Sequence, residues 1–537
     1  MSILTAWHRY TYNGCPVYVH PERPDWFVPS RSADDILMGR SGKSESRVAG
    51  GAGEGQFFTA SRILSQLEAG DSPPYTGRAD SLSLDGLKEC WFHLTDRCNL
   101  SCRHCLFGAS PGKRKSLGSD QFQKGIKEAR ALGCTLFYFT GGEPFIYPGF
   151  LDHVEELLVD PEVHVVVLTN GLLVQDYAEK LKELPRDRFH FQVSMDGRAE
   201  AHDRLRGKGC FDRLLKNISI LRTLQFPITL SIAVNRENID ELHEIVAVAA
   251  ALGIHNVHFL WHFVRGKGSM EQFVPPEEIV PALISAQEIG EESGVSIDNV
   301  ETIRKQVFSA SGTRYDLSNT GWESIAVGPD AKIYPSPALV GISKLVCGDL
   351  ADGIGHVWRT SPVLTEIRQS TLVGSRYEKN PLKFLVGGGD IDHSYMTRGT
   401  FVGHDPYIEL YNSIALWLIS RQAAQYRQHE QSGIVLKMGD VRHDCSEGGR
   451  SVAMTHCNCV ISLHNDHLHG SVKEFYSRAA NASNQDIANP FAPEQSAVDF
   501  IPDDSKKRSY GCGSPVHDAD LKEAETVVDL GSGSGVE

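Results

Sequence analysis

The 537-residue chain lacks three features: a long apolar run, an excess of positive charge and an N-terminal signal pattern. The best candidate for a membrane span, HEIVAVAAALGI, is too short, so we expect no membrane partner. Asp and Glu number 68 against 53 Lys and Arg, and a net charge of −15 repels phosphate backbones, so nucleic acid is not expected as a partner. The N-terminus has no basic segment followed by an apolar one, which predicts a cytoplasmic protein.

The chain contains 12 cysteines. In the cytoplasm these thiols are expected to be reduced, metal-bound or catalytic rather than linked as disulfides. Cys15, Cys90, Cys134 and Cys210 have apolar neighbours and are predicted to be core residues. The spacing of the remaining cysteines is therefore more informative than their number.

The length predicts several domains, and we place their boundaries from changes in sequence texture. Residues 1–88 form an N-terminal α+β segment with short strands and a Gly- and Ser-rich stretch that is predicted to be a flexible loop. That stretch contains Gly42, Lys43 and Ser44, as at the end of a phosphate-binding loop. The glycine required five positions earlier is Leu37, which favours a linker.

Residues 89–275 alternate regularly between apolar segments and helical patterns. The predicted strands are CWFHLTDR, CTLFYFTGG, HVVVLTNG, RFHFQVSMDG, PITLSIAVN and NVHFLWHF. Six successive βα units with nearly continuous apolar strands predict an α/β fold with a parallel sheet. The polar carboxyl ends of the strands predict a partial (β/α)6 barrel, similar to a TIM barrel, with its site at that end.

The most specific motif is CNLSCRHC, which places Cys98, Cys102 and Cys105 directly after the first of these strands. Three thiolates on one loop can hold three irons of a [4Fe–4S] cluster and leave the fourth iron open. An open iron can chelate the amino and carboxylate groups of S-adenosylmethionine and pass an electron to its sulfonium. The spacing resembles that of the radical SAM superfamily. Zinc is the alternative, although zinc sites require four ligands and usually pair CxxC units.

The resemblance continues at successive strand ends from about residue 89 to 270. It implies that backbone near Gly141, Gly142 and Glu143 holds the methionyl amino group and that Arg206 holds a carboxylate. The other residues that it implies for S-adenosylmethionine binding are Asn170 of LTNG, Ser194 and Asp196 of VSMDG, and Asn235 in the adenosine pocket. His104 departs from the family pattern, in which an aromatic residue often precedes the last cysteine.

Residues 276–470 have a less regular pattern and resemble the SPASM or twitch extension of radical SAM maturases, which usually binds auxiliary iron–sulfur clusters. The family's cysteine positions are occupied here by Ser336, Asn380 and Ile408. Four other cysteines could form one auxiliary cluster or remain ordinary buried thiols: Cys347, Cys445, Cys457 and Cys459.

The extension also concentrates acidic and imidazole side chains between two turn-rich motifs, GGGDIDHSY and GHDPY. The residues are Asp390, Asp392, His393, His404 and Asp405. They are predicted either to line the barrel mouth as substrate ligands or to form a hydrogen-bonded loop that caps the extension. The nearby HNDHLHG is interpreted as a polar linker rather than a metal site.

Residues 471–537 end in a strand and a glycine-rich turn that resemble the start of a class I methyltransferase, most closely the arsenite methyltransferases. In that family the turn, here Asp529, Gly531, Gly533 and Gly535, approaches S-adenosylmethionine. One strand and a turn cannot fold as a doubly wound sheet, so we expect no methyl transfer by this tail. Two explanations are open for a chain that ends within this turn. One is a UGA selenocysteine codon after position 537, and the other is a frameshift or a genuinely short protein.

The sequence therefore predicts a radical SAM enzyme with a [4Fe–4S] cluster, S-adenosylmethionine and a flavodoxin- or ferredoxin-like electron donor. The methyltransferase-like tail favours a small thiophilic or organoarsenical substrate, by analogy with fused proteins. The extension and the strand-rich N-terminus favour a peptide instead, added to an edge strand. A non-catalytic iron–sulfur or zinc scaffold is the third alternative.

Overall fold

The computed structural model describes residues 6–39, 46–47, 57–58, 60–67, 75–426, 433–441 and 452–455. The chain divides into two compact units, Met1–Leu463 and His464–Glu537, and the described residues all belong to the first. Several predicted features lie outside the described residues: the methyltransferase-like tail, HNDHLHG, most of the Gly- and Ser-rich stretch, and Cys445, Cys457 and Cys459.

The described strands, in chain order, are β1 (His8–Tyr12), β2 (Cys15–His20), β3 (Asp25–Pro29), β4 (Ser46–Arg47), β5 (Phe57–Phe58), β6 (Glu89–His93), β7 (Leu136–Thr140), β8 (His164–Thr169), β9 (Phe189–Ser194), β10 (Ile228–Val234), β11 (Asn256–Trp261), β12 (Ser296–Ile297), β13 (Arg314–Ser318), β14 (Ser324–Val327), β15 (Lys332–Tyr334), β16 (Gly348–Asp349), β17 (Ile434–Lys437) and β18 (Val452–Thr455).

The described α-helices are α1 (Arg31–Leu37), α2 (Ala60–Leu64), α3 (Arg78–Ser81), α4 (Ser119–Ala131), α5 (Phe150–Leu157), α6 (Ala178–Leu181), α7 (Ala199–Arg206), α8 (Cys210–Thr223), α9 (Leu242–Ala251), α10 (Pro276–Ser293), α11 (Asp298–Val307), α12 (Ile354–Thr360), α13 (Pro362–Gln369), α14 (Lys383–Val386), α15 (Ile391–Arg398) and α16 (Ile408–Ala423). Among the described residues, no helix has the length and apolar character needed to cross a bilayer.

The largest sheet among the described residues has the order β12-β11-β10-β9-β8-β7-β6-β14-β15-β16. Strands β6 to β11 are parallel, and helices follow each of them, which confirms the six predicted βα units. Strands β12 and β14 extend this parallel region on either side, and β15 and β16 add antiparallel pairs. The predicted α/β fold with a parallel sheet is confirmed.

The composition of the central strands explains their position. Strand β7 (LFYFT) is almost wholly buried, as is β6 (ECWFH), because helices cover one face and other side chains cover the second. Trp91 and Tyr138 stack with ring centroids 3.8 Å apart across β6 and β7. Since parallel strands end at a common edge, the polar residues that follow them are brought together there.

The N-terminal strands form an antiparallel sheet in the order β1-β2-β3-β17, so β3 pairs with a strand near residue 435. The region after residue 300 contains more helix than the sequence indicated. Helix α16 has 16 residues, packs on α10 and α11, and buries Leu410, Ile414 and Leu418. Glycine-rich turns interrupt the short helices of this region, and Gly387, Gly388 and Gly389 all have positive φ. The sequence of the region therefore shows no continuous helical pattern.

Candidate active site

A cavity of about 340 Å³ lies at the carboxyl ends of the parallel strands. Residues at or just after the ends of β7, β8, β9, β10 and β11 line one side of it, among them Thr140, Thr169 and Ser194. Residues of the extension, including Ala338, Val386 and His393, line another side. The predicted location of the site at the carboxyl end of the sheet therefore coincides with a cavity.

All three cysteines of CNLSCRHC line this cavity. The Sγ atom of Cys98 accepts a hydrogen bond from the backbone N–H of Leu100 at 3.4 Å, and that of Cys105 accepts one from Ala109 at 3.3 Å. Burial raises the pKa of the Cys98 thiol to about 12, and the nearby Glu143, Cys102 and Cys105 add to the increase. The loop thus places three cysteines around one cavity.

Two glycines after β7 fix the position of this cysteine loop. The N–H of Gly142 donates to the carbonyl oxygen of Thr95 at 2.5 Å, and the N–H of Glu143 donates to that of Arg97 at 3.0 Å. A Cβ atom on Gly142 would lie 2.1 Å from the carbonyl oxygen of Arg97, and one on Gly141 would lie 2.6 Å from that of Thr95. Both positions require glycine because the two backbones are in close contact.

Glu143 lies behind the cavity wall and ties β7 to the end of β8. It is fully buried and accepts hydrogen bonds from Thr169 Oγ1 at 2.8 Å and from the backbone N–H of Asn170 at 2.9 Å. Burial raises its pKa to about 7, although these hydrogen bonds act in the opposite direction. The side chain of Asn170 then reaches the cysteine loop, with Nδ2 3.7 Å from Cys98 Sγ and 2.8 Å from Asn99 Oδ1.

Asp196 is also buried behind the wall, where it contacts the side chains of Arg206 and His104. Its Oδ2 lies 2.5 Å from Arg206 Nε and 2.9 Å from His104 Nε2, and its Oδ1 accepts from the backbone N–H of Ala233 at 2.8 Å. Burial acts to raise the pKa of Asp196, but the charges of Arg206 and His104 outweigh it and hold the pKa well below its usual range. His104, the residue that departs from the family pattern, thus contributes one of the contacts that hold Asp196 in place.

The structure places the predicted cofactor residues in two groups. One group lines the cavity: Gly141, Gly142, Asn170, Ser194 and Arg206. Glu143, Asp196 and Asn235 are fully buried behind this wall instead. Asn235 holds the turn after β10, since its Nδ2 donates to Ala233 at 2.8 Å and its Oδ1 accepts from the N–H of Glu237 at 2.9 Å.

The acidic group of the extension is divided in the same way. Asp390, Asp392 and His393 line the cavity, whereas His404 and Asp405 belong to the hydrogen-bonded loop beneath them. The N–H of Asp390 donates to Asp405 Oδ2 at 2.7 Å. One loop therefore both caps the extension and lines part of the cavity, and a role of these residues as substrate ligands stays a prediction.

The positions where the resembling extension carries cysteine have other contacts here. Ser336 donates from Oγ to Asp392 Oδ2 at 2.7 Å, Asn380 accepts from the N–H of Leu382 at 2.8 Å, and Ile408 begins α16. Cys347 is buried in the core, where burial raises its pKa to about 12.

The cavity wall also contains an imidazole–carboxylate pair that the sequence patterns did not reveal. The Nδ1 atom of His258 on β11 lies 2.9 and 3.1 Å from the two carboxylate oxygens of Asp298, the first residue of α11. Both side chains are buried, and both residues line the cavity. The available signal was a histidine within the apolar strand NVHFLWHF, where a buried imidazole needs a partner.

The donor set fits a [4Fe–4S] cluster better than a single metal ion. Within the described ranges, no three His, Cys, Asp or Glu side chains converge closely enough to hold one metal ion. In an iron–sulfur cluster each thiolate binds a different iron, so three sulfurs on one loop need only face the same cavity. Cys98, Cys102 and Cys105 satisfy that requirement.

Comparison with known proteins is consistent with this chemistry. The model of the Radical SAM superfamily matches residues 92–249. The AdoMet-dependent heme synthase of Methanosarcina barkeri is 26% identical over 338 residues, which are 59% of this chain and 94% of that protein. The mycofactocin maturase of Mycolicibacterium smegmatis is 28% identical over 291 residues, or 53% of this chain and 73% of that protein.

Two further matches extend the comparison. The subtilosin biosynthesis protein of Bacillus subtilis is 26% identical over 248 residues, and the match covers 53% of that protein. A solved structure described as native anSMEcpe with bound AdoMet and a Cp18Cys peptide has a TM-score of 0.52 and 17% identity, and the match covers 63% of this chain and 98% of that chain. At that identity the likeness shows the fold alone. The family model and the relatives support a radical SAM enzyme, which uses a [4Fe–4S] cluster and S-adenosylmethionine, and the fold is consistent with it.

Proposed function

We propose that Cys98, Cys102 and Cys105 hold the cluster and that the adjoining cavity binds S-adenosylmethionine together with a substrate. When bound, the cluster supplies the electron that splits S-adenosylmethionine into methionine and a 5′-deoxyadenosyl radical, which abstracts hydrogen from the substrate. The observation that carries the proposal is that the three thiols share one cavity with Gly141, Gly142 and Arg206.

The chain's own residues bind and orient S-adenosylmethionine. The Arg206 guanidinium, which lines the cavity, pairs with its carboxylate through the Nη atoms, since Asp196 engages Nε. Carbonyl oxygens near Gly141 and Gly142 accept hydrogen bonds from the amino group, while Asn170 and Ser194 provide polar contacts. Glu143, Asp196 and Asn235 act as positioning residues behind this wall.

The substrate belongs to one of two classes. A peptide is favoured by the relatives named for mycofactocin maturation and subtilosin biosynthesis. A small thiophilic or organoarsenical molecule is favoured by the sequence resemblance of residues 471–537, which lie outside the described residues. In either case we propose a flavodoxin- or ferredoxin-like protein as electron donor.

The test is anaerobic. The full chain is reconstituted with iron and sulfide, reduced with dithionite and supplied with S-adenosylmethionine, and 5′-deoxyadenosine is measured. Cys102→Ala removes a cluster ligand and is expected to abolish both product and cluster, whereas Cys15→Ala, in the half-buried part of β2, retains both. A cluster whose EPR spectrum does not change with S-adenosylmethionine, together with no 5′-deoxyadenosine, would contradict the proposal.

A further inference from the structure

The extension side of the cavity carries two polar atoms without a partner. Asp392 and His393, in the first turn of α15, are 7% and 6% exposed. Among the described residues, Asp392 Oδ1 and His393 Nε2 have no hydrogen-bond partner. Both residues line the cavity. A buried polar atom left unsatisfied costs about 1–3 kcal/mol, so a partner from the cavity would be favoured.

The other polar atoms of this pair are already engaged. Asp392 Oδ2 accepts from Ser336 Oγ at 2.7 Å, and His393 Nδ1 lies 3.3 Å from Asp390 Oδ1. With its proton on Nδ1 and directed at Asp390, a neutral His393 presents a lone pair at Nε2. Asp392 Oδ1 and His393 Nε2 are thus two acceptors on residues that line one cavity, which favours a ligand that carries several N–H donors.

The charges around the pair favour a cation. Three carboxyl groups, those of Asp390, Asp392 and Asp405, face His393 and the cation of Arg265. Arg265 already donates to the carbonyl oxygens of Ala338 and Val340. His262 lies close enough to interact with His393, but burial lowers its pKa, so it adds little positive charge.

Burial and the neighbouring charges also determine the protonation of Asp392, His393 and Asp405. Burial and the charge of Asp390 raise the pKa of Asp392, and burial raises that of Asp405 to about 6. Burial acts to lower the pKa of His393, but the surrounding carboxylates outweigh it and raise the pKa. The unliganded group therefore retains protons that a bound cation would replace. No metal-binding set of three such side chains exists within the described residues, which favours an organic cation over a metal ion.

We propose that Asp392 and His393 bind a protonated primary amine of the substrate. The ammonium donates to Asp392 Oδ1 and His393 Nε2, and its carbon skeleton lies along the apolar wall beside them. Phe263 stacks on the His393 ring with centroids 3.8 Å apart, and Trp261 lines the same cavity. This inference rests on the proposed function, since it assigns the substrate class of the same cavity.

Calorimetry on the reconstituted full chain tests the assignment, without oxygen or reductant and with S-adenosylmethionine present. The probes are 2-phenylethylamine, 2-phenylethanol and 3-phenylpropanoate, which share a ring and differ in the end group. We expect the amine to bind at least tenfold more tightly than either of the others. Titration in two buffers of different ionisation enthalpy is expected to show proton release when the amine binds. Equal binding of the three probes, or no binding of the amine, would overturn the assignment.

A matched pair of variants then locates the contact. Asp392→Asn keeps the size of the side chain and its hydrogen bond to Ser336, and is expected to weaken amine binding at least tenfold. Asp330→Asn removes a carboxylate of the extension that does not line the cavity, and is expected to leave the affinity unchanged. Amine binding that is the same in the wild type and in Asp392→Asn would refute the role of Asp392.

The outcomes distinguish this inference from the proposed function. Formation of 5′-deoxyadenosine depends on the cysteine loop, while amine selectivity is measured without reduction. An enzyme that makes 5′-deoxyadenosine but binds all three probes alike would retain the proposed function and lose the inference. The probe comparison in the wild type also remains decisive if Asp392→Asn fails to fold.

Discussion

The guanidinium of Arg206 contacts the carboxylate of Asp196, with Nε 2.5 Å from Oδ2, and both side chains are largely buried. Arg206 lines the cavity, whereas Asp196 lies behind it. Burial acts to lower the pKa of Arg206, but the charge of Asp196 outweighs it, so the pKa is raised and the guanidinium remains charged. Asp196 thus fixes the orientation of a permanent cation at the cavity wall.

Arg206→Lys is expected to weaken S-adenosylmethionine binding. Lysine keeps one positive charge but loses the planar fork that can contact Asp196 and a carboxylate together. Loss of a hydrogen bond to a charged group costs about 1.5–3 kcal/mol, which corresponds to about 10- to 100-fold in affinity. Calorimetry with the reconstituted protein measures the change.

Arg204→Lys is the matched control, because Arg204 lies on the same helix, is half exposed and pairs with Glu237. Its affinity for S-adenosylmethionine is expected to match that of the wild type. An equal loss in both variants would mean that α7 is disturbed generally, and would argue against carboxylate binding by Arg206.

Gly142→Ala is expected to displace the cysteine loop. The added Cβ would lie 2.1 Å from the carbonyl oxygen of Arg97, directly before Cys98, so the backbone must move. We expect a loss of about 1–3 kcal/mol in the free energy of unfolding and reduced iron after reconstitution. Gly112→Ala is the control, since its nearest neighbour, Ser110 Oγ, would be 4.0 Å away. Full iron content in Gly142→Ala would contradict the close packing.

The sequence was sufficient to predict the sheet and the edge of the sheet at which the cavity lies. Apolar strands at regular intervals predict parallel pairing, and polar residues after each strand must then meet at one edge. It was insufficient to separate residues that line the cavity from those behind it. Glu143 and Ser194 both stand at strand ends, yet only Ser194 faces the cavity, because the chain turns after β7 so that Glu143 bonds to Thr169 and Asn170.

Sequence patterns were also insufficient to predict contacts between segments that are far apart in the chain. His258 and Asp298 are 40 residues apart, and their pairing depends on how α11 packs beside β11. Ser336 and Asp392 are separated by 56 residues and meet only because the fold brings the first turn of α15 beside the turn that follows β15. The short-range rules for strands and turns contain no information on such pairs.

Cys347→Ala is expected to leave the iron content unchanged. The Sγ atom lies in the core and 3.7 Å from the carbonyl oxygen of Leu345, and Cys347 does not line the cavity. Removing one buried sulfur should reduce the free energy of unfolding by about 1 kcal/mol through lost packing. Iron and sulfide analysis measures the first effect and denaturant unfolding the second. A large fall in iron would instead support the auxiliary cluster predicted from Cys347 and the cysteines after it.

His258→Gln is expected to change how stability depends on pH. Burial acts to lower the pKa of His258, but the charge and hydrogen bond of Asp298 outweigh it, so the folded-state pKa lies above the ordinary value of 6.5. A raised histidine pKa adds stability that is fully present below pH 6.5 and is lost as the pH rises through the folded-state value. Gln cannot titrate, so the stability difference between wild type and variant should shrink as the pH increases from 6 to 9.

Denaturant unfolding at several pH values between those limits measures this difference, with His243→Gln on α9 as the control. The control is expected to follow the wild-type curve. If the difference between wild type and His258→Gln were constant with pH, the His258–Asp298 pair would not take up a proton on folding. In that case His258 would be held as a neutral imidazole, and its Nδ1 proton alone would account for the contact with Asp298.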